Sequence, residues 1–86
     1  MNYSVLEEIK ISAKKLISED KPTKIKKIPT LEETIFSILN AYTPARKANA
    51  TRRLRLYAQS RAKEIGSTTD RVIAGVFASA TKKIKC

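Results

Sequence analysis

The sequence predicts an all-α or mainly α fold, with about four helices in one small domain. Three observations carry that expectation. Apolar residues recur every three or four positions in four separate stretches. Cap-forming residues, prolines and Gly66 fall between those stretches, where helices start and stop. A chain of 86 residues also leaves room for one compact domain and little more.

The first helix is expected to begin near Ser4, because Ser4-x-x-Glu7 has the form of a capping box. Val5, Leu6, Ile9, Ala13, Leu16 and Ile17 then form one apolar stripe. Lys21-Pro22 bars its continuation, since the residue before a proline is pushed out of the helical region. Residues 21–29 hold two prolines and four lysines and read as a basic linker, either a solvated connector or a strap along a phosphate backbone.

Thr30-x-x-Glu33 repeats the capping-box form and opens a second helix, with Leu31, Ile35, Ile38, Leu39 and Tyr42 as its buried stripe. Thr43-Pro44 marks its expected end. Residues 45–50 show no strong preference, and a short strand there stays open. A third helix is expected over about 51–65, turning Leu54, Ala58, Ala62 and Ile65 inward. Arg52, Arg53, Arg55, Gln59 and Lys63 lie largely outside that stripe. Gly66 supplies the positive φ that closes many helices and joins the last two. Ser67, Thr68, Thr69 and Asp70 offer N-caps for the fourth helix, whose inner face carries Val72, Ile73, Val76, Phe77, Ala80 and Ile84. Lys82, Lys83 and Lys85 fall in its last turn, where positive charge suits the helix dipole. The resulting division is an amphipathic helix (1–20), the linker (21–29) and a helical nucleic-acid-binding domain (30–86).

That last assignment comes from charge. The formal charge is +10, and its two halves differ sharply. Residues 1–43 hold seven Lys and Arg against six Asp and Glu, a net of +1; residues 44–86 hold eleven against two, a net of +9. Such asymmetry points to a polyanionic partner for the second half. The candidate contacts are Arg46, Lys47, Arg52, Arg53, Arg55, Arg61 and Lys63. Tyr57, inside the arginine-rich segment, is open to two roles: stacking on a base or packing beside the core stripe.

Much other chemistry is missing. There is no histidine, and the one cysteine, Cys86, is the last residue. The common transition-metal ligand sets and Cys-His or Ser-His nucleophile pairs are therefore absent. Glu64 and Asp70 are the only carboxylates of the second half, too few to converge on a hydrolytic centre. Gly66 and Gly75 are the only glycines, so there is no phosphate-cradling loop. The expectation is a protein that is not an enzyme, with no cofactor, no metal site and no small-molecule substrate. No apolar run is long enough to span a bilayer, and Glu7, Glu8 and Lys10 interrupt the start of the chain where a signal peptide would be apolar. With a lone thiol, a cytoplasmic location is expected.

The stretch around Gly66 can be compared with two DNA-binding units. For a helix-turn-helix, Ala62, Ile65, Gly66 and Val72 comply, whereas Arg61, Ser67 and Gly75 stand where apolar residues are usual. The run from Ala62 to Phe77 resembles the helix pair of ribbon-helix-helix repressors, the Arc and plasmid copy-control families. Ala62, Ile65, Gly66, Thr68, Ile73, Val76 and Phe77 fit their A-x-x-L-G-x-S-x-S-x-x-I-x-x-A-L pattern, with Asp70 in place of a hydroxyl cap. The resemblance covers roughly the last forty residues. It implies a DNA-reading strand at 46–50, with Lys47 and Asn49 directed into the major groove. It also implies a phosphate clamp at the backbone of Ser67, Thr68 and Thr69. The strand is the point of departure, since Arg46, Ala48 and Ala50 stand where the family has branched apolar residues.

The expected function is a small DNA-binding protein, a transcriptional regulator or accessory factor of a mobile element, acting as a homodimer. RNA binding and a protein–protein adaptor that masks an acidic surface are the alternatives.

Overall fold

A computed structural model describes residues 3–19 and 27–85. Four helices make up the fold: α1 (Tyr3–Ser18), α2 (Leu31–Leu39), α3 (Pro44–Ile65) and α4 (Thr69–Lys85). Among the described residues there is no strand. Linker residues 21–26 and Cys86 lie outside the described residues, as do the side chains of Tyr3 and Lys85.

The largest departure from expectation lies at residues 45–50, which form the first turns of α3 and not a strand. Thr43-Pro44 starts a helix here. Thr43 is the N-cap, its hydroxyl oxygen accepting from the Arg46 N–H at 3.2 Å. Pro44 occupies the first turn, where its missing N–H costs nothing and its fixed φ already suits a helix. The alanines that follow have the highest helix propensity of any residue. α2 has already ended at Leu39, with Asn40 as its C-cap. Tyr42 consequently falls in the connection between the two helices and is 60% exposed.

Other ends follow the sequence more closely. Thr30 caps α2, accepting from the Glu33 N–H at 3.1 Å. Ser4 lies inside α1, one residue past its start, and not at an N-cap. α3 closes at Gly66, whose φ of 66° is left-handed. The Ser67 N–H then reaches back to the Ala62 carbonyl at 3.0 Å, the long bond of a Schellman ending.

α3 is the spine, packing against α1, α2 and α4 alike. One core holds Leu6, Ile9 and Ala13 of α1, Ile35 and Ile38 of α2, Ala50, Leu54, Ala58 and Ala62 of α3, and Val72, Ile73, Val76, Phe77 and Ala80 of α4. The radius of gyration is 11.8 Å. A single folded body of this length is expected at about 12 Å, so α1 is folded onto the rest and does not trail from it. Leu31 and Ile65, both expected inside, are 38% and 50% exposed because each ends its helix at the rim of the core. Buried Thr34 and Thr51 satisfy their hydroxyls on carbonyls four residues back, at 2.8 and 2.7 Å.

Candidate nucleic-acid interface

Because α3 is one unbroken helix from Pro44, its side chains have a fixed angular order of about 100° per residue. The inward arc takes Ala50, Thr51, Leu54, Arg55, Ala58 and Ala62. On the outward arc, Arg46, Asn49 and Arg53 fall within about 60° of one another. Arg52 and Lys63 stand about 40–60° further round, beyond Asn49. All five are exposed. The one carboxylate of α3, Glu64, is bridged to Arg61 at 3.4 Å. The outward face is therefore cationic along most of its length.

The predicted contact residues divide into groups. Arg46, Asn49 and Arg53 meet in a recess of about 350 Å³, completed by Phe36, Ser37 and Asn40 of α2 and its cap. Arg52 borders the groove between α1 and α3, beside Lys15, Lys47 and Glu19. Lys47 is half-buried and its ammonium donates to Glu8 Oε2 at 2.5 Å, so its charge is already matched by α1. Lys47 and Asn49 thus stand on a helix, not on a groove-reading strand.

Arg55 is the clear correction. It is 5% exposed, and its Nε–H is buried with no acceptor. A side chain buried to that degree offers little of its guanidinium to a phosphate outside the molecule. Burial follows from the width of α3's inner arc: a helix packed on three sides covers more of its circumference than one apolar stripe.

Ser67, Thr68 and Thr69 form the turn into α4, where the Thr68 hydroxyl oxygen accepts from the Arg71 N–H at 3.2 Å. Thr68 and Thr69 line a shallow hollow with Asp70 and with Lys14, Lys15 and Ser18 of α1. Lys14 and Lys15 reach this turn only through the tertiary fold. Tyr57 is half-buried and packs against the core.

Phe36 was missed by reasoning from sequence. It is 68% exposed, the most exposed of the large apolar residues described. A signal existed, since it stands outside the apolar stripe of its own helix, next to Ile35 and two before Ile38. Asn40 Nδ2 donates to the Phe36 carbonyl at 2.8 Å, which fixes the neighbouring amide against α2.

Among the described residues, no group of three or more His, Cys, Asp and Glu is placed to hold a metal ion. No helix described is long and apolar enough to cross a membrane. No family model, curated protein or solved structure matches the chain, so the site rests on its own geometry.

Proposed function

We propose that this protein binds nucleic acid through the outward face of α3, with double-stranded DNA as its main partner, and acts as a regulator or accessory factor that works by binding. One observation supports this above the rest: Arg46, Asn49 and Arg53 share a narrow sector of the exposed face of α3, and no described carboxylate pairs with either arginine. The B-DNA major groove is about 12 Å wide and admits one α-helix. In that groove Arg46 and Arg53 are placed to meet backbone phosphates, and the amide of Asn49 suits a base edge. Arg52 and Lys63, further round the helix, are placed to meet flanking phosphates. A-form RNA has a major groove too narrow for such a helix, which favours DNA.

The test is fluorescence anisotropy with a perfect DNA duplex over a range of salt concentrations. Binding should weaken steeply with salt. In the double variant Arg46→Ala/Arg53→Ala, the slope of log K against log salt should fall by about 1.8, the loss of two phosphate contacts at 0.9 each. An unchanged slope, or no binding of the parent protein in low salt, refutes the α3 interface. Tighter binding of a structured RNA of equal length would transfer the proposal to RNA.

A further inference from the structure

The outward face of α3 is not bordered by polar residues alone. Phe36 lies against it, its ring uncovered, in the recess shared with Ser37, Asn40, Arg46, Asn49 and Arg53. An apolar ring left in water without a packing partner gives up the free energy that burial would bring. Its surroundings do not suit an ordinary apolar partner: two arginines and two amides line the recess beside the ring, and no carboxylate does. The acidic residues Glu32 and Glu33 stand one turn back on α2, outside it.

A nucleotide matches each part of this arrangement. Its base is a flat apolar face with polar edges, suited to stacking on an aromatic ring. Its phosphates suit Arg46 and Arg53, which lie seven residues and about 10 Å apart along the helix. The amide of Asn49 has no hydrogen-bond partner among the described residues, and Asn40 has its Nδ2 engaged and its Oδ1 without one. Those groups can pair with a base edge. A base still stacked in a duplex cannot present its face to a side chain; an unpaired one can.

We infer that the recess around Phe36 binds an unpaired nucleotide, so that the preferred substrate is DNA carrying a bulged or extruded base. The inference rests on the α3 interface proposed above. The base lies on Phe36, Asn40 and Asn49 engage its edge, and Arg46 and Arg53 hold the adjoining phosphates.

Two probes test this by anisotropy at fixed salt: a perfect duplex, and the same duplex with one bulged nucleotide. The parent protein should bind the bulged probe about tenfold more tightly, within the range for one stacked base. Phe36→Ala should abolish that preference and leave perfect-duplex affinity within about twofold, because a side chain this exposed contributes little to folding. Phe36→Trp should keep the preference. The chain has no tryptophan of its own, so this variant also gives a single tryptophan that can be excited selectively over the three tyrosines. Its emission should be quenched by the bulged probe and not by the perfect duplex.

Equal binding of the two probes, or a preference that survives Phe36→Ala, overturns the inference and leaves the α3 interface standing. Failure of both probes to bind in low salt overturns both. A self-association in sedimentation that disappears in Phe36→Ala would show a second copy covering the ring, and also overturns the inference.

Discussion

α3 and α4 are neighbours in the basic half of the chain, yet they divide inward and outward duties in opposite ways. α3 turns mainly small residues inward, with Ala50, Ala58 and Ala62 around Leu54. α4 fills its inner face with Val72, Ile73, Val76 and Phe77. Small side chains at a contact let helix axes approach closely, which suits a helix touched by three others. Outside, the cations of α3 extend along its length, whereas α4 has Arg71 near its start and Lys82 and Lys83 near its end. Lysines at a C-terminus are accounted for by the helix dipole alone. Arginines at the start and middle of α3 are not. The position of charge, more than its amount, distinguishes a ligand surface from helix-end compensation.

The contrast can be broken in graded steps. Ile73 is fully buried on α4, the helix that supplies the bulk. Ile73→Ala should cost about 2–5 kcal/mol in urea unfolding, from lost apolar contact and the cavity left behind; a loss below about 1 kcal/mol would show that α4 is dispensable to the core. A smaller effect of opposite sign is expected at Arg55, the one buried charged residue described. Arg55→Met keeps the apolar stem and removes an unsatisfied donor, and should stabilise the protein by about 1–3 kcal/mol. DNA affinity should be nearly unchanged in that variant; a large drop would return Arg55 to the interface. The glycines give the smallest effects and a matched pair. Adding a Cβ meets nothing within 4 Å at either Gly66 or Gly75, so only backbone conformation separates them. Gly66→Ala should cost about 1–2 kcal/mol because its φ is left-handed. Gly75→Ala, inside α4, should gain up to about 1 kcal/mol.

Four helices and most of the core were legible in the sequence because apolar spacing and caps are local signals. Leu6, Ile9, Ala13, Leu54, Ile73 and Val76 are buried as their periodicity requires. The start of α3 departs from expectation at a local signal with two meanings. Thr-Pro ends a helix when the proline would fall inside it, and begins one when the threonine is the cap and the proline follows. The alanines after Pro44 favoured the second. The fate of Arg55 was illegible for another reason: how much of α3 is covered depends on α1, some forty residues earlier in the chain. The Lys47–Glu8 pair, 39 residues apart, hides in the same way. Within the candidate interface, the expected contact residues Arg46, Asn49, Arg52, Arg53 and Lys63 are exposed. The aromatic beside them, Phe36, shows in the sequence only as an apolar residue off its helix's stripe; that its ring stays uncovered is decided by what fails to pack on it in the fold.

All six residues of that recess, Phe36 included, come from positions 36–53, one corner of the chain. Bringing so short a segment together costs little loop entropy and waits for no distant pairing. The shape of the recess is therefore governed by the four residues at 40–43 that join α2 to α3. A change of length there would re-aim the ring relative to the arginines and leave the packing of α3 against α1 and α4 intact, so this corner is where a descendant of this chain can alter its choice of ligand at least cost to its fold.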